Sequence, residues 1–535
     1  MIEKQNAIIE KIERTSDLAL PPSFSALPSL RLPVSPSRLP VRLLILLLLF
    51  ALALGSLLAV LATLPLMWVA VFCMGLCGLF GALLWWSAKW ALAPILQVVL
   101  LASFFFELEV NLFAVLKYNQ NLPGLNISLM LIVSLMLLGA RIFKRWRGKP
   151  RDPVFPLGYS LASMTLLLWC ILSILDSSEP LFGFYGVWGL ATNLLMCFVV
   201  ANEFGSRAAL RTAVIVIAVV FGVNGLVALV QSTTGMFTDW TWLGAAREES
   251  KTTVSEGEVM RASGFLGGAN GLAWYLVTFL PVLLSMIVLK VEDFRGWKRW
   301  LLAASSGLGV IALILTYARG SWIAFGMALP ALVALSYRTL AVAERGRFTL
   351  RVAAVALLAG LICFPYAETI YVRLTEDDRG AAYSRVPLIQ VAQAMIADNP
   401  WLGVGLSNYE AEMRRYDTTP ELISDTFDWP VHNIFLHMTA EAGVPATLCF
   451  LTLVIIALRR GWRALSSHDP FLRALAAGLI AGIIAYMFTG LKEPGSVGSP
   501  QLRLCFLFCG MLLALDRAGR SNDEGTLTGE KAISH

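Results

Sequence analysis

The sequence predicts an all-α polytopic membrane protein of about 12–14 transmembrane helices, with a long outer loop that carries short interfacial helices. Three observations lead there. Hydrophobic residues make up 57% of the 535 positions and charged residues only 15%, a balance outside the range of soluble domains. The apolar residues are clustered, so that stretches such as 43–64, 214–230 and 474–491 approach or exceed the ~20 residues needed to cross a bilayer. No alternating pattern of the barrel type is visible, and backbone amides in hydrocarbon must then be satisfied within helices.

Along the chain, residues 1–40 are polar and then rich in proline and serine between Pro21 and Pro40, which reads as a flexible cytoplasmic tail. This tail has no short apolar core followed by a small-residue cleavage site, so it is not expected to be a secretory signal. Spans are expected near 41–63, 66–87, 91–116, 125–142, 155–175, 184–203 and 209–231, forming an N-terminal transmembrane region 41–231. A first outer loop covers 232–268. Central helices near 269–290, 299–317, 320–336 and 350–366 make up 269–366, and a long outer, periplasmic loop covers 367–431. The C-terminal helices, near 432–458, 471–490 and 501–516, fill 432–516, ahead of a cytoplasmic tail 517–535.

Orientation follows from the short basic loops, which are retained in the cytoplasm. The stretches 141–151, 207–211, 290–299, 338–351 and 459–473 are all basic, and with the N-terminus inside every one of them falls on the cytoplasmic face. The same alternation puts 232–268 and 367–431 outside. The net charge of +6 is thereby explained by topology. The basic residues form no single patch with interleaved aromatics, so no nucleic-acid partner is expected.

The eight cysteines, Cys73, Cys77, Cys170, Cys197, Cys363, Cys449, Cys505 and Cys509, lie in or at the ends of expected spans. Neither a disulfide framework nor a metal site follows from that placement, and no cofactor is called for. No internal repeat of the kind that marks many transporters is visible.

Arginine in an outer loop runs against the charge bias and asks for a partner. Arg261 lies in Arg261-Ala262-Ser263-Gly264-Phe265, just ahead of the span that Asn270 opens. Arg319 sits in the tight outer turn Thr316-Tyr317-Ala318-Arg319-Gly320-Ser321. Arg385 opens an interfacial helix, 386–397, which ends at Asp398-Asn399-Pro400 and the turn Gly403-Val404-Gly405. Guanidinium groups gathered at a membrane surface suit a phosphate or diphosphate, because Arg offers a planar fork of donors and stays charged. For any one arginine the alternative is anchorage to lipid headgroups or to an acidic neighbour such as Glu249, Asp377 or Asp378.

His432, one of four histidines, starts a span on the outer side in Trp429-Pro430-Val431-His432-Asn433. An imidazole there can take a proton from a sugar hydroxyl as it attacks an anomeric carbon; the alternative is a helix-terminal histidine bonded to a backbone carbonyl. His437, His468 and His535 are read as structural or solvent-exposed. Glu441, nine residues further along the same span, lies below the surface and needs a partner or a wet cavity. Glu107 and Glu109 sit at the outer end of their span, as interfacial residues or on a polar cavity wall.

Read in order, Arg261-x-Ser263-Gly264, Asn270-Gly271-Leu272-Ala273, Thr316-x-x-Arg319-Gly320-Ser321, Asn399-Pro400-x-Leu402-Gly403-Val404-Gly405, His432-Asn433-x-x-Leu436 and Glu441-x-Gly443-Val444-Pro445 resemble the O-antigen ligase and O-antigen polymerase superfamily. The resemblance runs from Arg261 to Pro445, with topology alone matching elsewhere. It implies a metal-independent inverting glycosyltransferase of the bacterial cytoplasmic membrane with its active site facing the periplasm. The donor would be an undecaprenyl diphosphate-linked glycan and the acceptor a glycan or a lipid. It also implies that His432 is the base, that Arg261, Arg319 and Arg385 bind the diphosphate, and that Asn270, Asn433 and Glu441 support the site. Envelope polysaccharide assembly proteins are the implied protein partners.

Two departures stand out: the chain is longer than a plain ligase, and Ala269 precedes Asn270 where members of the family often have proline. The tail and additional spans lean toward an exopolysaccharide or O-antigen polymerase, ahead of a lipid A-core ligase or a protein O-oligosaccharyltransferase. From other classes, a polysaccharide flippase would call for ionisable residues near the midplane and repeated halves. A non-catalytic envelope scaffold gives no reason for a histidine and several arginines to converge.

Overall fold

The computed structural model describes residues 92–106, 109–115, 124–146, 155–236, 251–254, 257–266, 268–375, 385–420 and 422–533. The expected tail 1–40 and the spans near 41–63 and 66–87 lie outside them, as do Glu107, Glu249, Asp377, Asp378, Cys73, Cys77 and His535.

The described chain is almost wholly helical. An apolar helix α1 (Ala93–Ala102) leads into a hairpin of β1 (Glu109–Leu112) and β2 (Leu125–Ser128), followed by α2 (Leu129–Trp146), α3 (Leu157–Ile174), α4 (Pro180–Glu203) and α5 (Arg207–Thr234). A second hairpin, β3 (Lys251–Val254) and β4 (Gly257–Met260), precedes α6 (Ala269–Val288), α7 (Trp297–Leu315), α8 (Arg319–Arg338) and α9 (Val342–Cys363). A single 3-10 turn joins α9 to α10 (Ala367–Thr375). Three short helices follow, α11 (Arg385–Asp398), α12 (Tyr409–Tyr416) and α13 (Ile423–Thr426), and then the long α14 (Ile434–Ala464), α15 (Pro470–Gly490) and α16 (Pro500–Ile533). Among the described residues nine helices are long and apolar enough to cross a membrane.

Two expectations change. The span placed at 91–116 ends as a helix at Phe105, and the chain turns into the antiparallel pair that joins Glu109 to Ser128 and Leu112 to Leu125. Helical structure also continues beyond 366 to Thr375, into the stretch expected to be a loop.

The core is built by close helix approach. Helix α15 lies along α6, where Gly478 and Gly482, one helical turn apart, let the two backbones meet. A Cβ at Gly478 would stand 2.7 Å from the Val282 Cα, and one at Gly482 2.5 Å from the Thr278 carbonyl. Dispersion between close backbones replaces the hydrophobic drive that lipid does not supply. Helix α7 packs on α5, α8 on α15, α16 on α4, and α14 on both α3 and α16. By contrast α9 bares Leu350, Leu357 and Leu361, each more than 60% exposed, as suits a helix against lipid tails.

Charged side chains sort to the two ends of this bundle. At one end Arg207 grips Asp293 with two bonds of 2.8 Å and reaches Asp469 at 2.5 Å, so that three separate connections meet in one cluster. Arg141 pairs with Glu203, Arg460 with Asp516, and Arg338 stacks over Trp462. Burial works against the Asp293 carboxylate, but the bonds and charge of Arg207 outweigh it and hold its pKa below the usual range. All four arginines come from the stretches that carry the basic excess. The opposite end holds the arginines that the charge bias leaves unexplained.

Candidate functional site

The architecture of that end rests on a break in α14. Asn433 caps the helix, its Oδ1 accepting from the Phe435 and Leu436 amides at 3.0 and 3.1 Å. Ten residues on, Gly443 takes φ 79° and ψ 170°, and Pro445 follows without an amide hydrogen. The groups freed by the break are met by the turn after α11. The Val404 amide donates to the Ala440 carbonyl (2.9 Å), Gly405 donates to the Glu441 carbonyl (3.0 Å), and Val444 donates to the Pro400 carbonyl (2.9 Å). The sequence motifs around 399–405 and 441–445 are therefore one structural element, a turn docked into a broken helix.

Gly443 can hardly be replaced. Its backbone lies where L-residues are strained by ~1–3 kcal/mol, and a Cβ would collide with the Trp401 carbonyl, which is itself held by Trp169 Nε1 at 2.8 Å. A Gly443→Ala variant is expected to lose ~2 kcal/mol or more of stability, seen as a lower thermal midpoint in detergent. A midpoint equal to the parent's would contradict the docking.

Below the break, Glu441 has the partner its depth demands. His437 Nε2 lies 3.3 Å from Glu441 Oε1, both side chains are 1% exposed, and the Gly495 amide donates to His437 Nδ1 at 3.1 Å. With Nδ1 accepting, the ring proton belongs on Nε2, facing the carboxylate. The Tyr409 ring stands edge-on to His437, with Glu410 beside it on α12. Burial, reinforced by the Glu441 charge and opposed by His437, lifts the Glu410 carboxyl to about 7. This polar knot pins three segments together: the helices α12 and α14 and the 491–499 loop.

The cationic residues gather around that loop. Arg261 Nε donates to the Thr316 carbonyl at 2.7 Å, and the neighbouring Ala262 amide donates to the Leu315 carbonyl, which fastens Arg261 to the turn bearing Arg319. Arg261 Nη2 reaches Asn270 Oδ1 at 2.5 Å, and Asn270 Nδ2 reaches Glu493 Oε2 at 3.3 Å. Lys492 lies over Gly320, where a Cβ would be 2.9 Å from the Lys492 Cδ. Burial, together with the charges of Arg385 and Arg319, holds the Lys492 ammonium below the usual lysine range. Arg385, at the exposed start of α11, thus acts on the same spot as Arg319.

His432 sits at the rim of this cluster, half-buried, with its ring 6.0 Å from the Phe427 ring and its Nδ1 without a hydrogen-bond partner among the described residues. Burial and then the Arg385 charge push the imidazole down to about 4, against the pull of the Pro430 carbonyl. So low a value leaves the ring neutral at physiological pH. That is the state a proton acceptor needs.

The structure thus brings Arg261, Arg319, Arg385, Asn270 and His432 to one end of the bundle. Asn433 serves as a helix cap and Glu441 as the partner of His437. Sequence reasoning missed Lys492 and Glu493. The rule that singled out the arginines, a cation in a connection on the outer side, points equally to Lys492 in Thr489-Gly490-Leu491-Lys492-Glu493-Pro494.

These features define a class, a multi-pass helical membrane protein with a cation-lined site at one end of its bundle. Residues 304–451 match the O-antigen ligase family model, and this match supports placement in the O-antigen ligase and polymerase superfamily. The matched segment holds Arg319, Arg385, His432, Asn433 and Glu441, whereas Arg261, Asn270 and Lys492 lie beyond it. Comparison with curated proteins gives no match.

Proposed function

We propose that the protein transfers a glycan from an undecaprenyl diphosphate carrier to an acceptor sugar hydroxyl at the periplasmic face of the cytoplasmic membrane, as a glycan polymerase or ligase. The observation that carries this reading is that Lys492 lies against Gly320 beside Arg319, with Arg261 fastened to the same turn and the Arg385 charge acting on both Lys492 and His432. Several cations in one place suit a multivalent anion, and a diphosphate is such an anion at a membrane surface.

In the reaction, the His432 imidazole takes the proton of the acceptor hydroxyl while the hydroxyl oxygen attacks the anomeric carbon. The bond from that carbon to the diphosphate oxygen breaks on the opposite face, which inverts the configuration. Arg319, Arg385 and Lys492, with Arg261 fastened to the same turn, hold the charge that grows on the leaving diphosphate. The bound anion also offsets the Arg385 charge that disfavours protonation of His432, so the base strengthens when the donor is in place.

The direct check is binding of bare undecaprenyl diphosphate to the protein in nanodiscs. Lys492→Gln is expected to weaken it about ten- to 100-fold, at the scale of ~1.5–3 kcal/mol for a charge-assisted contact. Undecaprenol, which lacks the phosphates, should not compete. Equal binding of undecaprenol, or an unchanged affinity in Lys492→Gln, would count against the diphosphate site.

A further inference from the structure

The connection between α15 and α16 carries Lys492 and is seated on the start of α14. Gly490 and Gly495 flank the lysine in the chain, and both close on Ile434, a fully buried side chain two residues beyond His432. A Cβ at Gly490 would stand 2.5 Å from the Ile434 Cδ1, and one at Gly495 3.1 Å from its Cγ2. Between the two glycines the Lys492 amide donates to the Thr489 carbonyl at 2.9 Å, and Glu493 Oε2 accepts from Asn270 Nδ2 at 3.3 Å. Pro494 joins Glu493 to Gly495; its ring fixes its own φ and restricts the residue before it. The link from Lys492 to Gly495 is therefore short and stiff, and the place of the Gly495 amide bears directly on the place of Lys492.

That amide is held by His437, which the sequence presents as structural. Its Nδ1 accepts from Gly495 at 3.1 Å, and its Nε2 faces Glu441 Oε1 at 3.3 Å, so the carboxylate keeps the ring proton on Nε2 and leaves Nδ1 as the acceptor. The ring is 1% exposed and meets no ligand itself. A buried polar pair holds a fold no better than apolar side chains of its volume, and its best-attested use is to fix one arrangement. We propose that His437 is a positioning residue for the donor site: through the Gly495 amide it sets Lys492 against the Arg319 turn and beside the start of α14 that bears His432. Without this bond the turn would still carry Lys492, but the ammonium would be spread over more positions, and ordering it on binding would lower affinity. The inference rests on the diphosphate reading and adds to it a residue that touches neither donor nor acceptor.

The test separates the two ring nitrogens. An asparagine amide ends near the place of Nδ1 and a glutamine amide near that of Nε2, so His437→Asn can keep the acceptor for Gly495 while His437→Gln keeps only a partner for Glu441. Affinity for bare undecaprenyl diphosphate is measured in nanodiscs for each variant, alone and combined with Lys492→Gln. His437→Gln is expected to weaken binding about three- to tenfold, the range of one hydrogen bond. With Lys492→Gln already present, the same change should cost less than about twofold, because its effect runs through that lysine. His437→Asn should stay within about twofold of the parent. A merely structural histidine gives the reverse order, since asparagine leaves the larger cavity and an unanswered Glu441. That reverse order, parent affinity in His437→Gln, or an equal loss with and without Lys492 overturns the assignment. Should one histidine variant fail to fold, the other decides alone; failure of both marks the residue as structural and overturns it as well. If Lys492→Gln by itself binds like the parent, the diphosphate reading falls first and this inference with it.

Discussion

Replacing His432 with alanine is expected to slow glycan transfer by about 100-fold or more, the ordinary worth of a general base, while leaving the affinity for undecaprenyl diphosphate close to the parent's. The separation follows from geometry. His432 stands half-buried at the rim, whereas the charges proposed to hold the donor belong to Arg319, Arg385 and Lys492. The parent's kcat/KM reports the free protein, in which His432 titrates at about 4. A depressed pKa keeps the base competent as the medium is acidified, so activity should hold through mildly acidic pH and fall only as the pH drops through about 4. An acid limb near the ordinary histidine value would show that some other group takes the proton. Equal turnover in His432→Ala would do the same.

Arg385→Ala should reduce donor affinity and turnover together, by about 100-fold in kcat/KM, because a cation that binds the diphosphate also holds its charge in the transition state. A second, independent signature goes with it. The Arg385 charge is the second cause, after burial, of the low His432 pKa, and removing it lets the imidazole protonate more readily. The acid limb of the residual activity is therefore expected to move to higher pH, staying below the ordinary histidine value because burial remains. A variant that loses activity without moving the limb would place Arg385 away from His432. Arg385→Lys should recover part of the affinity, since an ammonium keeps the charge but not the two-pronged geometry.

Much of the scaffold could be read from the chain because lipid imposes long apolar runs, and helices such as α5, α6 and α15 answer to them directly. The first hairpin could not, because Phe104, Phe105 and Phe106 carry the apolar run of α1 straight toward Glu109 with no proline or glycine to mark the turn. Arg261, Arg319 and Arg385 stand out in the sequence through charge bias alone. Lys492 obeys the same rule, but the adjacent Glu493 cancels its charge in any count over the turn. The glycine turn at 403–405 and the Gly443–Pro445 break each announced a turn, but nothing in the sequence says that their backbones pair, since such pairing leaves no periodicity behind. The partner of Glu441 lay one helical turn away in His437. That spacing was readable, but the Gly495 amide that orients the ring comes from another connection.

The measurement closest to the central claim is the fate of the carrier. Purified parent and His432→Ala, reconstituted in proteoliposomes, would be supplied with undecaprenyl diphosphate-linked glycan and followed for released undecaprenyl diphosphate and for glycan length. The account predicts that the parent releases one carrier for each glycosidic bond formed, that the histidine variant releases almost none, and that a ladder of products marks a polymerase where a single new product marks a ligase. Intact lipid-linked glycan crossing the bilayer with no carrier released would contradict it and make the protein a transporter.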